Sequence, residues 1–160
     1  MPKHSTPAEP VLDVTMVIAA QPETVLRAFF DAAALVAWWQ VMRSVTIPRA
    51  LGPYVVEWSP TDFRDEILGR LGGVFRGTVM QFQPGQGFFV ADAFWLPPDG
   101  DPIGPMALAV TTRMDGGACR VQVRQTGFEE TPRWRRYYTL ISGGWKSSLA
   151  ALKEFVEQHE

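Results

Sequence analysis

Residues 131–159 read TPRWRRYYTLISGGWKSSLAALKEFVEQH, and this stretch decides the fold. Its apolar residues Trp134, Tyr138, Ile141, Trp145, Leu149, Leu152 and Val156 are separated by steps of three and four. That spacing lays one stripe along a long amphipathic helix. At 1.5 Å per residue the helix would reach roughly 40 Å, enough to cross a small domain. Gly143 and Gly144 interrupt it just before Trp145. Glycine costs about 1 kcal/mol against alanine in a helix interior, so the pair predicts a close approach of the helix backbone to a sheet.

Working outward, the preceding segments read as strands. Residues 44–47, 53–58, 72–82, 87–96, 106–114 and 118–126 are β-rich. Their separators, Gln83-Pro84-Gly85, Pro97-Pro98-Asp99-Gly100 and Asp115-Gly116-Gly117, carry turn chemistry. Short turns between successive strands predict an antiparallel meander. Residues 59–71 read as a loop with a short helix. At the other end, Leu12, Val14, Met16 and Ile18 alternate with polar positions as in a half-buried strand. Pro22 and Glu23 then open a helix whose buried face is Val25, Leu26, Phe29 and Phe30. Asp31 breaks it, and Ala32 to Trp39 forms a second short helix. Residues 1–10 are polar, carry three prolines and predict a mobile leader, with a single domain over 11–160. The fold class is α+β: a curved antiparallel sheet wrapped around a long C-terminal helix, with two short helices after the first strand.

Composition narrows the function classes. A net charge of -2 gives no electrostatic reason to bind nucleic acid. No run of 18 apolar residues predicts a membrane span, and the single Cys119 suits a reducing cytoplasm. Cys119 alternates with Val121 and Val123, which reads as a buried strand residue. The only histidines, His4 and His159, lie at the chain ends, which argues against a His-based triad or zinc site. Asp62, Asp65 and Glu66 match no calcium template and read as a solvated loop. Neither a metal nor another cofactor is expected.

Several stretches together resemble the START-like helix-grip superfamily (SRPBCC), and within it the family of the activator of the heat-shock protein 90 ATPase. The first is Ile18-Ala19-Ala20-Gln21-Pro22-Glu23-Thr24-Val25 leading to Trp38-Trp39. The second is Gly77-Thr78-Val79-Met80 leading through Pro84 to a Phe-rich strand. The third is Gln125-Thr126-Gly127-Phe128 followed by Gly144-Trp145, Leu149 and Leu152. The resemblance implies a deep, mostly apolar cavity between sheet and long helix, used in the superfamily for lipids, polyketides and other hydrophobic molecules.

Trp39, Trp58, Trp95, Trp134, Tyr138 and Ile141 are the candidate ligand-binding residues, because this fold brings their elements together. Trp38 and Trp145 read as core. Chemistry in such a cavity would need a polar group, for which Asp92, Arg124 and Tyr138 are the catalytic candidates. The alternation Phe89, Ala91, Ala93, Trp95 puts Asp92 on the convex face beside Arg76 or Arg113. An inward Asp92 would instead have its pKa raised by desolvation. Arg133, Arg135 and Arg136 sit where the helix dipole disfavours cations. They would meet an anionic headgroup or acidic partner at the cavity mouth, or else pair with Glu129 and Glu130 or stay solvated. Three functional readings follow: binding of a hydrophobic or amphipathic small molecule, a cyclase- or hydrolase-like enzyme on an aromatic polyketide, and a chaperone-associated regulator with a protein partner.

Overall fold

A computed structural model describes residues 10–159, so the leader expected over residues 1–10 lies outside the described residues apart from Pro10. The chain runs β1 (Leu12–Ile18), α1 (Pro22–Arg27), α2 (Ala32–Trp39), β2 (Arg43–Thr46) and β3 (Pro53–Trp58). It continues through β4 (Arg64–Asp65), β5 (Gly69–Arg70), β6 (Gly73–Gln83), β7 (Gly87–Leu96), β8 (Ile103–Asp115) and β9 (Ala118–Thr126) to α3 (Pro132–Gln158). Seven strands form one antiparallel sheet in the order β1-β9-β8-β7-β6-β3-β2. The first strand closes against the last, from Leu12 opposite Gln125 to Ile18 opposite Cys119.

Each helix begins where local chemistry stops the chain from being extended. Asp31 caps α2, its carboxylate accepting the Ala34 N–H at 2.9 Å. Thr131 caps α3, accepting the Trp134 N–H at 3.2 Å, and Pro132 occupies the first turn. Along α3, Leu149, Leu152 and Val156 are buried in the same core as Leu12, Ile18, Cys119, Val121 and Val123 of the sheet. This places the long helix against the concave face. No helix among the described residues is long and apolar enough to cross a membrane.

Three local expectations are corrected. Residues 59–71 contain no helix but the small hairpin β4–β5. One carboxylate oxygen of Asp65 accepts the N–H groups of both Ile67 and Leu68 at 3.0 Å. Such a side-chain-closed turn competes directly with helical bonding.

In β7, Asp92 takes a left-handed backbone (φ 53°) and the register with β8 shifts between Val90 and Ala93. One extra residue in a strand turns the following side chains to the opposite face. Phe88 and Val90 therefore point inward before the bulge, and Ala93 and Trp95 after it, while Phe89 is exposed. The uninterrupted alternation expected through Phe89 and Ala91 fails for that reason. Gly77 of β6 fits opposite the bulge, where an added Cβ would lie 2.6 Å from a Val90 methyl. Shifts in β6 and β7 bend the sheet into the curve that α3 occupies.

The glycine pair is the third correction. A Cβ at Gly143 or Gly144 would meet nothing within 4 Å, and both residues are exposed. They bring α3 no closer to the sheet.

Candidate functional site

The curved sheet and α3 border a cavity of about 630 Å³ that is open to solvent. Its walls come from five parts of the chain. The end of α2 supplies Trp39 and Gln40, and the end of β3 supplies Trp58. The 59–72 segment adds Ser59, Thr61, Leu68, Leu71 and Gly72. From the sheet come Phe75, Trp95 and Gln125, and α3 contributes Tyr137, Leu140, Ile141, Gly144, Trp145 and Ser148. Along the helix Tyr137, Ile141, Gly144 and Ser148 follow the same three-and-four stepping as the core stripe, but rotated to one side of it. One helix thus serves packing with one edge and the cavity with the other.

Four tryptophans dominate the walls, and each has spent its N–H on the protein. Trp39 donates to Ser148 Oγ at 3.1 Å, and Trp58 donates to the Trp39 carbonyl at 2.8 Å. Trp95 donates to the Gly72 carbonyl at 2.7 Å, and Trp145 to Gln125 Oε1 at 3.0 Å. The rings also brace one another. Trp39 lies 5.1 Å from Trp58 and 5.2 Å from Trp145, and Trp95 stacks on Tyr137 at 5.3 Å. What they offer a ligand is ring surface, fixed in orientation by bonded indoles.

The cavity has a small polar floor. Gln125 is 2% exposed and Tyr137 is 5% exposed. The Gln125 amide donates to the Tyr137 hydroxyl at 3.4 Å and to the Met106 sulfur at 3.2 Å. Burial pushes the Tyr137 phenol well above its usual pKa, so it stays protonated at neutral pH. Among the described residues, no Asp, Glu, Lys, Arg or His lines the cavity.

Of the residues singled out by sequence, Trp39, Trp58, Trp95 and Ile141 line the cavity together. Trp134 and Tyr138 do not. Both pack edge-on against Phe128, and the Tyr138 hydroxyl donates to the Val11 carbonyl at 3.2 Å. Trp145, read as core, is buried and also walls the cavity. The three catalytic candidates are not brought to the site. Asp92 is exposed at its bulge, with no ion pair to Arg76 or Arg113. Arg124 is exposed beside Asp13 at 3.4 Å, and Tyr138 lies behind Phe128.

Gln125 and Tyr137 were missed, although Gln125 left a signal: it continues the inward row Cys119, Val121, Val123. A glutamine at an inward strand position is a buried polar group that needs partners. Tyr137 and Tyr138 are adjacent, and a three-or-four step accommodates either.

Two of the three arginines at the start of α3, Arg133 and Arg136, are held by the protein, and not by Glu129 or Glu130, while Arg135 is exposed. Arg136 meets Asp65 at 2.6 Å, and Arg133 donates to the Asp101 carbonyl. Asp65, expected to be solvated, is only 4% exposed. The Arg136 guanidinium is the main cause holding its carboxyl below the usual range. Next to it, Asp99 accepts from Arg70 at 2.9 and 3.0 Å and is pulled down to about 2. These two ion pairs fasten the β4–β5 segment, one to α3 and the other to the β7–β8 connection.

No family model and no curated protein matches the chain at the level of sequence. Solved structures match it closely in shape. Protein MLL2253 from Mesorhizobium loti superposes with a TM-score of 0.72 at 20% identity, covering 94% of this chain and 99% of that one. The Aha1 dimer from Colwellia psychrerythraea gives a TM-score of 0.63 at 16% identity, over 92% and 96% of the two chains. DynU16, a protein from the dynemicin biosynthetic locus, gives 0.63 at 15% identity over 94% of this chain, which spans 48% of DynU16. The fold is the helix grip of the START-like proteins, in agreement with the resemblance read from sequence.

Proposed function

We propose that this protein binds a hydrophobic or amphipathic small molecule, lipid- or polyketide-like in character, between its sheet and α3. The observation that carries this reading is the 630 Å³ cavity walled by four tryptophans and, among the described residues, free of charged side chains. Cavities of about 300–1,000 Å³ with apolar, aromatic walls and a few polar groups are the ordinary form of a small-molecule site. Trp39, Trp58, Trp95 and Ile141 are the proposed contact residues, with Tyr137 and Trp145 added.

Binding is favoured over catalysis by the chemistry of the floor. A cyclase or hydrolase needs a base or nucleophile near neutral pH. The floor presents an amide and a phenol held in its protonated form. The walls carry the hydroxyls of Ser59, Thr61 and Ser148, and among the described residues no His, Asp, Glu or Lys stands beside them in the lining to act as a base. Docking to a chaperone would use an outer surface instead, and that reading draws support from the likeness in shape to the Aha1 dimer and the AHSA1 protein from Silicibacter pomeroyi.

The test is titration with a panel of lipids and aromatic compounds, followed by tryptophan fluorescence and thermal melting. Binding in the cavity quenches emission and raises Tm. At ligand concentrations 100 times Kd the stabilisation should be about 2.7 kcal/mol, a shift of several degrees for a domain of this size. A panel that moves neither signal sinks the proposal.

A further inference from the structure

The hydrogen bonds of the cavity floor specify more than hydrophobicity. An indole N–H can only donate, so Trp145 fixes Gln125 with its oxygen toward Trp145 and its NH₂ toward Tyr137. The Tyr137 oxygen therefore accepts, and its own proton is left over. No acceptor within the protein takes that proton among the described residues. A carbonyl or hydroxyl with one lone pair unused is tolerated in protein interiors, whereas an unpaired buried donor is rare and costly. Around this donor stand flat rings whose N–H groups are already engaged. Among the described residues, no charged side chain lines the cavity to receive a carboxylate or an ammonium group.

We infer that the ligand is an uncharged, planar aromatic molecule bearing a carbonyl-type acceptor, stacked among the tryptophans with its oxygen on the Tyr137 hydroxyl. This rests on the small-molecule reading above and narrows it to one chemical class. The acceptor completes the buried Tyr137 donor that the described residues leave open. The flat ring replaces water over the indole faces, and neutrality avoids burying a charge without a counter-charge.

Three matched probes test it: 9-fluorenone, fluorene, which lacks the oxygen, and fluorene-9-carboxylate, which is anionic. Each is titrated calorimetrically into the full chain and into Tyr137→Phe, whose ring can keep its stack on Trp95. One completed hydrogen bond predicts that the wild type prefers fluorenone over fluorene about tenfold. In Tyr137→Phe the ratio falls to about one, because the donor is gone. The carboxylate binds at least about tenfold more weakly than fluorenone. In the infrared, the fluorenone carbonyl stretch moves to lower frequency on binding wild type and does so less on binding Tyr137→Phe. Circular dichroism checks that the variant is folded. If it is not, the wild-type preference and the carbonyl shift decide alone.

Equal affinity for fluorene and fluorenone, a carboxylate that matches fluorenone, or a preference that survives in folded Tyr137→Phe would each overturn the inference. If the three probes fail while palmitate binds, the inference falls and the small-molecule reading stands. If palmitate and the wider panel fail as well, both fall.

Discussion

Tyr54 is the fully buried side chain on which the small helices hang. Its hydroxyl donates to the Phe29 carbonyl at 2.9 Å, at the joint between α1 and α2, and its ring stacks on Phe88 at 5.7 Å. Tyr54→Phe keeps the ring but strands the Phe29 carbonyl in the core. Leaving a buried acceptor unpaired predicts a loss of about 1–3 kcal/mol in denaturant unfolding, with an unchanged m-value. A loss below a few tenths would mean that water or a local shift satisfies the carbonyl. The same scale shows what sequence could reveal about single residues. Trp39, Trp58 and Trp95 were legible as cavity residues because each lies at or next to the end of an element that the fold brings together with the others. Trp134 and Tyr138 were misplaced and Tyr137 was overlooked, because helical period alone does not fix which edge of a stripe faces a cavity. Asp65 looked solvated because its partner, Arg136, is 71 positions away.

The order of the main-sheet strands and helices and the break at Asp31 were legible, since each rests on local chemistry, whereas β8 begins at Ile103 ahead of the expected Met106 and the β4–β5 hairpin was not foreseen. The bulge at Asp92 was not, because a strand's alternation is assumed to persist unless a register shift is seen. The glycine pair in α3 is the opposite case: helix-weakening residues predict close packing, and there is open space at both positions. That space yields a prediction about the helix. With no steric penalty, Gly143→Ala and Gly144→Ala should each stabilise the domain by up to about 1 kcal/mol, or roughly 2–4 °C in Tm. The two differ in one respect. Gly144 lines the cavity and Gly143 does not. If bare backbone at Gly144 is there to admit a ligand, Gly144→Ala raises Tm while weakening binding, and Gly143→Ala raises Tm alone. Equal effects on binding would remove any special role for Gly144.

At the scale of the molecule, the cavity wall contributed by residues 59–72 stands apart from the main sheet and is fastened by charge. Asp65 grips Arg136 of α3, and Asp99 grips Arg70 and, at 3.6 Å, Arg64. Both carboxyls are held below their ordinary pKa, Asp99 at about 2. A carboxyl depressed by folding contributes its stability in full above the unfolded value of about 4 and loses it as pH falls through the folded value. The wall should therefore be fully fastened at neutral pH and through mildly acidic conditions. It should loosen only below about pH 4, with the Asp99 contact lasting to about pH 2. Hydrogen exchange of the Ile67 and Leu68 amides, which Asp65 accepts, reads this directly. Their protection, corrected for the intrinsic pH dependence of exchange, should fall in that acid window before protection of the β8–β9 amides does. Asp65→Asn removes the charge that grips Arg136, so exchange at these two amides should be faster already at pH 7 and nearly independent of pH down to 4. Protection that collapses together across the hairpin and the main sheet would mean that the wall is integral to the core. In that event these ion pairs would have no separate part in holding the cavity wall.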